Sequence, residues 1–275
     1  MHLTSPASLD DDAIAAVRTL ARAVESADGA PPLSDQALAQ LASTDVQHVL
    51  ATDESEVVGY AQLAGDSLEL TGSAAALGKL LAELTDRPVR VWAHGARSRL
   101  APVLAERSFT PSRTLLQLRR PLTAIDERPT PEGVRIEAFV VGRDEDAWVR
   151  VNAAAFATHP EQGRWTRADV EAREAADWFD PAGFLLAWRG AELLGYHWTK
   201  IHSSTLGEVY VLGVDPSGQG LGLGGVLLDR GLSHLQHRGC TEVLLYVEAD
   251  NAVARRLYER SGFTEHDRDT QWSSR

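Results

Sequence analysis

The sequence predicts an α/β (α+β) protein of two tandem modules, each a mixed central sheet flanked by helices. Three observations predict it. Strand-like and helix-like runs alternate along the chain. The segment 120–133, R-P-L-T-A-I-D-E-R-P-T-P-E-G, gathers three prolines and a terminal glycine near the midpoint and reads as a linker. Similar pieces then recur on either side of it. V-V-G-Y at Val57–Tyr60 returns as L-L-G-Y at Leu193–Tyr196, 136 residues later. L-A-E-R-S-F-T at Leu104–Thr110 returns as L-Y-E-R-S-G-F-T at Leu257–Thr264, 153 residues later. The preserved order favours a duplicated module, with boundaries at 1–125 and 132–275.

In the first half, Ser8–Ala27 reads as a helix. Asp10, Asp11 and Asp12 suit its first turn, and Ile14, Val17, Leu20 and Val24 share one face. Strands follow at Val46–Thr52, Val57–Leu63 and Ser67–Leu70, then helix Ala74–Leu84 and strand Val89–Ala93. Helix Arg97–Arg107 and strand Leu115–Arg119 end the half. The second half opens with strand Val134–Ala138 and helices near Glu145–Phe156 and Thr166–Ala176. Strands Phe184–Trp188, Glu192–Ile201 and Gly207–Val214 lead into helix Leu223–His237. Strand Glu242–Val247, helix Ala252–Ser261 and a last strand near Arg268–Trp272 complete it.

Composition narrows the function. The 275 residues are 44% hydrophobic and 24% charged, a globular balance that excludes a disordered chain. A net charge of −12 argues against nucleic-acid or anionic-membrane partners. One cysteine, Cys240, forms no internal disulfide and supports no cysteine-pair metal site; before a strand, it reads as a small packed hydrophobe. The acidic start M-H-L-T-S-P-A-S-L-D-D-D does not read as a signal peptide, and no run nears the about 18 apolar residues of a membrane span. The expectation is a cytoplasmic monomer acting on a small molecule without a metal. His159, His197 and His202 have no metal-ligand spacing and read as wall or packing residues.

The strongest chemical signal is Glu208–Gly225, E-V-Y-V-L-G-V-D-P-S-G-Q-G-L-G-L-G-G. A strand runs into a glycine-dense turn that opens a helix, where backbone N–H groups and the helix dipole can hold a pyrophosphate. Gly220, Gly222 and Gly225 satisfy the dinucleotide pattern G-x-G-x-x-G, and Glu248 follows about 20 residues later. Only 27 residues follow Glu248, too few for the rest of a doubly wound sheet. A P-loop is excluded because no Gly-Lys-Ser/Thr ends the run. A flexible turn without a ligand is the plainest alternative. The remaining reading is Q-x-x-G-x-G at Gln219, Gly222 and Gly224, followed by Leu257-Tyr258-Glu259-Arg260-Ser261-Gly262-Phe263.

With those two motifs in that order, the sequence resembles the GCN5-related N-acetyltransferase (GNAT) family, across all of the second half and more weakly the first. The resemblance implies two tandem GNAT-like modules and acetyl-CoA as co-substrate. It places Leu212, Gly213 and Val214 along the pantetheine arm and Gln219, Gly220, Leu221, Gly222, Leu223, Gly224 and Gly225 at the pyrophosphate. Asn251, Ala252, Val253, Ala254, Arg255 and Arg256 match the remaining CoA-contacting stretch. The tandem arrangement narrows the likeness further, with H-P-E-Q-G-R-W at His159–Trp165, H-W-T-K at His197–Lys200 and G-E-V-Y-V-L-G-V-D-P at Gly207–Pro216. That likeness implies a small amino-sugar thiol as acceptor, acetylated at the cysteinyl amine of a cysteine–glucosamine–inositol conjugate. Asp35, Glu161, Lys200, Glu208 and Tyr246 match its substrate-facing positions.

Acetyl transfer to an amine needs a neutral nucleophile, a polarised carbonyl and a proton for the thiolate. Strict alternation puts Glu208, Tyr210 and Leu212 on one strand face, with Glu208 able to take the ammonium proton directly or through water. The resemblance assigns Glu208 as this base and Tyr258 as the proton donor to sulfur. Two departures from the family pattern stand out. Gly220 and Leu221 occupy loop positions where many relatives carry arginine, so binding leans on backbone N–H groups, aided by Arg255 and Arg256. In the first half T-G-S-A-A-A-L-G follows the strand, with no Q-x-x-G-x-G, and the closing element reads R-S-F. The first module is therefore expected to be non-catalytic and to lack strong CoA binding. Two alternatives remain: the same chemistry on an aminoglycoside or peptide N-terminus, and a non-catalytic acyl-CoA-binding module.

Overall fold

The computed structural model describes residues 1–274 apart from 124, 158, 160 and 161. The chain forms two units. Unit 1 comprises Met1–Leu116, Glu248–Asp250 and the end of the chain from Asp267; unit 2 comprises Gln117–Val247 and Asn251–His266. These are not the two continuous stretches 1–125 and 132–275. The chain crosses between units within single strands, because a strand's partners are chosen by non-local hydrogen bonding that no local composition change marks.

Elements β1 (His2–Thr4), α1 (Asp11–Asp28), α2 (Asp35–Ala39), β2 (Gln47–Asp53) and β3 (Glu56–Ala64) open the chain. Then come β4 (Ser67–Gly72), α3 (Ala74–Leu84), β5 (Arg90–Ala93), α4 (Leu100–Glu106) and β6 (Thr110–Pro121). The second half supplies β7 (Val134–Ala138), α5 (Glu145–Ala155), α6 (Arg167–Glu174), β8 (Phe184–Arg189), β9 (Glu192–Ile201) and β10 (Leu206–Val214). Last are α7 (Leu223–His237), β11 (Glu242–Glu248), α8 (Ala252–Arg260) and β12 (Thr264–Ser273).

In unit 1 the strand order is β1-β2-β3-β4-β5-β12. The sheet is antiparallel except for a short parallel contact of β4 with β5 at Ser67↔Arg90 and Leu68↔Val91. Helices cover both faces. Leu77, Leu80 and Leu81 of α3 join Val103 and Leu104 of α4 on one core, and Val17 and Ala21 of α1 join Leu33, Ala37 and Tyr60 on the other. The helix starts follow the sequence. Asp10 accepts the Ala13 N–H at 2.8 Å, Ser34 accepts Ala37 at 3.1 Å, and Gly29 closes α1 in the left-handed region at φ 86°. The helix expected at Arg97–Arg107 begins only at Leu100, because the chain before it closes a turn in which the Ser98 N–H donates to the Gly95 carbonyl at 3.1 Å. β1 and α2, both very short, were not foreseen; neither is long enough to show a period.

In unit 2 the order is β6-β11-β10-β9-β8-β7. Trp148 and Val151 of α5, Val170 of α6, Phe184, Tyr196, Trp198 and Val211 form one core. Leu223 and Leu227 of α7 form the other with Ala187 and Leu194, against which Leu212 and Val214 pack. The proline-rich stretch does not hang free. The Arg128 N–H donates to Asp229 Oδ2 at 3.0 Å, and its guanidinium donates to Asp229 Oδ1 and the Gly225 carbonyl, each at 2.9 Å. Burial raises the Asp229 carboxyl above its ordinary value, and Arg128 offsets part of that.

Candidate active site

The site is built on an irregularity in β10. It pairs with β9 antiparallel from Gly207↔Ile201 to Val214↔Gly195, but the register slips between Val209 and Val211, leaving Tyr210 as an extra residue. This bulge overturns the expected grouping of Glu208, Tyr210 and Leu212 on one face. Tyr210 and Val211 both pack in the core under α5 and α6, whereas Leu212 and Val214 turn to the α7 side. On its other edge β10 pairs in parallel with β11 only at Leu206↔Glu242, Gly207↔Val243 and Glu208↔Leu244. Beyond Glu208 the two strands part, so the edge at Leu212–Val214 is left open to an extended arm.

A turn at residues 215–222 then leads into α7. Gly220 and Gly222 lie at φ 81° and 71°, and a side chain added at either would meet nothing within 4 Å, so backbone conformation alone demands glycine there. Gly222 is the N-cap of α7 and offers no side-chain acceptor to its first-turn amides. Gly225 N–H bonds back to the Gly222 carbonyl at 3.1 Å, while the Leu223 and Gly224 N–H groups have no partner among the described residues. Uncapped amides at the positive end of a 15-residue helix fit a pyrophosphate. Asn251 caps α8 by accepting the Ala254 N–H at 3.1 Å. Arg255 pairs with Glu259 at 3.4 Å, Arg256 is exposed, and Val253 is 81% exposed.

Glu208 is 7% exposed, and its Oε2 lies 2.7 Å from His202 Nε2. Its cross-strand neighbour Lys200 rests its ammonium over Trp178 at 4.9 Å and Tyr210 at 5.5 Å. Arg173 stacks on Trp165 at 3.7 Å and donates from Nε to the Tyr210 hydroxyl at 3.1 Å, so Trp165, Trp178 and Tyr210 form an aromatic wall with cations on it. Gly213 has a separate reason to be glycine: a Cβ there would fall 2.8 Å from the Tyr196 ring. Tyr196 is fully buried, and its hydroxyl donates to Asn152 Oδ1 at 2.6 Å. Asn152 Nδ2 in turn donates to the Gln162 carbonyl at 2.6 Å.

Tyr258 on α8 is 7% exposed and meets Phe263 edge-on at 5.7 Å. Burial pushes its phenol well above the ordinary range, so it stays protonated. Tyr246 on β11 is 45% exposed, and its hydroxyl accepts from Gln117 at 2.8 Å. Asp35 is an exposed residue at the start of α2 in unit 1. Glu161 lies outside the described residues. Of the expected site residues, Glu208 and Lys200 are cross-strand neighbours, with the Lys200 ammonium lying over the aromatic wall. His202, expected to be a wall or packing residue, is bonded to Glu208; the tight turn between two strand-like runs was the signal for that proximity. His197 does pack: its Nδ1 lies 2.8 Å from the Leu227 carbonyl, and burial lowers it to about 4, so it is neutral. Cys240 is buried, and among the described residues no His/Cys/Asp/Glu group could hold a metal and no helix is long and apolar enough to cross a membrane.

Residues 148–263 match the model of the acetyltransferase (GNAT) family. A protein from Geodermatophilus obscurus named mycothiol acetyltransferase is 48% identical over 96% of this chain and 95% of its own. One of the same name from Thermomonospora curvata is 46% identical over 97% and 95%. A tandem GNAT protein from the clavulanic acid biosynthesis pathway superposes with a TM-score of 0.68 at 16% identity over 99% of this chain and 98% of its own, a likeness of fold alone. With its splayed strands, its glycine turn and that identity along nearly its whole length, the chain belongs to the mycothiol acetyltransferase family of GNAT enzymes.

Proposed function

We propose that this enzyme moves the acetyl group of acetyl-CoA to the cysteinyl amine of the cysteine–glucosamine–inositol conjugate, giving mycothiol and CoA. The observation that carries the reading is 48% identity to a mycothiol acetyltransferase over 96% of the chain. The geometry of β10 and α7 supports it. Acetyl-CoA supplies the acetyl group as a thioester. The first-turn amides of α7 hold its diphosphate, with the turn at Gln219–Gly222 around it, and the free edge at Leu212–Val214 takes the pantetheine arm as another strand would.

Glu208 accepts a proton from the acceptor's ammonium, freeing the nitrogen lone pair for attack. A backbone N–H on the open edge of β10 polarises the carbonyl at which that attack occurs. The buried Tyr258 hydroxyl gives its proton to the departing sulfur, and the proton that the attacking nitrogen sheds on becoming an amide restores the phenol. Lys200 and Tyr246 supply polar contacts to an acceptor rich in hydroxyls. The test is acetyl-CoA consumption with the conjugate against free cysteine, glucosamine, an aminoglycoside and a peptide N-terminus. The conjugate should be preferred by at least about 10²-fold in kcat/KM. Equal turnover of a simple amine would overturn the acceptor, and acetyl-CoA binding without turnover of any amine would overturn catalysis.

A further inference from the structure

His202 follows β9, and its backbone N–H donates to the Leu206 carbonyl at 3.0 Å across the turn. That bond fixes the residue at the mouth of the β9–β10 hairpin, from which Nε2 reaches Glu208 Oε2 at 2.7 Å. The His202 side chain is 35% exposed and that of Glu208 10%. Lys200 pairs with Glu208 by register, yet its ammonium is placed over Trp178 and Tyr210. Oε1 of Glu208 has no partner among the described residues, so one carboxylate oxygen is held and the other is free. Because an ionised carboxylate only accepts, Nε2 carries the proton in this pair.

We propose that His202 is a positioning residue for the acetyl transfer. Its Nε2–H holds Oε2 and so turns Oε1 toward the incoming ammonium. The inference rests on Glu208 acting as the base. In that step an N–H bond of the ammonium breaks, its electron pair stays on nitrogen, and the proton forms an O–H bond at Oε1. His202 keeps its own proton throughout. Holding the carboxylate in one rotamer removes the search that a flexible glutamate would otherwise make at each turnover.

Glutamine can put an amide N–H close to where the imidazole Nε2 lies, whereas asparagine is too short. His202→Ala and His202→Asn should lower kcat about tenfold and leave KM for acetyl-CoA within about twofold, and His202→Gln should recover to within about threefold of the parent. Titration with acetyl-CoA and the melting temperature identify any variant that misfolds. If His202→Ala does, the Gln-against-Asn contrast carries the test. Glutamine as poor as asparagine would overturn the proposal, since a ring that must itself titrate would then be needed. Full kcat in His202→Ala alongside a disabled Glu208→Gln would also overturn it while leaving the base in place. Full kcat in Glu208→Gln would remove the base assignment itself.

Discussion

Unit 1 and unit 2 repeat one run of elements, β3–β4–α3 and β9–β10–α7, and the two copies differ where chemistry would occur. Both begin on a matching Gly-Tyr step, Gly59-Tyr60 and Gly195-Tyr196. Four residues after each tyrosine, Ala64 faces Ser67 and Lys200 faces Glu208, so a serine stands in unit 1 at the carboxylate's position in unit 2. The β3–β4 register is unbroken, whereas β10 carries the Tyr210 bulge. β4 meets its helix after a single residue, Ser73, which caps α3 by accepting the Ala76 N–H at 3.3 Å. β10 meets α7 only after residues 215–222, and the cap there is a glycine with no side chain to give.

The gap where β4 and β5 part is almost closed. It is a cavity of about 10 Å³ lined by Thr71, His94, Ser98 and the Asp28–Arg99 pair, whose closest approach is 2.7 Å. What separates the copies is a set of local irregularities on a shared scaffold. A regular ladder and a capped helix satisfy their own hydrogen bonds and leave none for a ligand.

Four experiments would break or sharpen that contrast. Glu208→Gln should lower turnover about 10²-fold or more while acetyl-CoA binding stays within about threefold. Unchanged activity near neutral pH would show that the serine-for-glutamate difference does not matter. His94 in unit 1 sits between Asp269 and Glu69, at 3.4 and 3.8 Å. Burial alone would lower it, but those carboxylates raise it to about 9. Its unfolded value lies near 6.5, so this stabilisation is complete below about pH 6.5 and is lost as pH rises through about 9. Melting temperature should fall by several degrees across that window, and Asp269→Asn should flatten the fall. A slope unaffected by the substitution would remove His94 as its source.

Gly222→Ala forces an alanine to φ 71° and should weaken acetyl-CoA about tenfold, and calorimetry on the parent should give about one strong site per chain. Two equal sites would erase the distinction between the units. The smallest effect belongs to Ser73→Ala, which removes the α3 cap. It should cost about 1 kcal/mol of stability with no change in acetyl-CoA binding. Weakened binding would mean that the capped copy also takes part in the site.

Much of this was readable from residues alone. The glycine turn declared itself because Gly220 and Gly222 adopt positive φ, and the helix starts at Asp10 and Asn251 followed capping chemistry, whereas Ser34 caps a helix too short for the sequence to show. Strands β2 to β5 and β7 to β11 lie close to their expected bounds, whereas β6 and β12 run to Thr110–Pro121 and Thr264–Ser273, beyond the runs that mark a strand in the sequence. Interactions within a few residues of one another write themselves into composition and period.

Long-range pairing decided the rest. The Tyr210 bulge depends on which β9 residue each β10 residue meets, and it rotated Leu212 and Val214 away from Glu208's expected face. Thr270–Ser273 pair with Arg90–Ala93 in unit 1, although nothing around residue 266 marks a change of unit. The bond between His202 and Glu208 arose from the hairpin's closure, and the anchoring of Arg128 on Asp229 from a contact 101 residues apart. Hydrogen bonds between distant segments are set when the sheet chooses its register, so a one-dimensional pattern carries their ingredients and leaves their partners open.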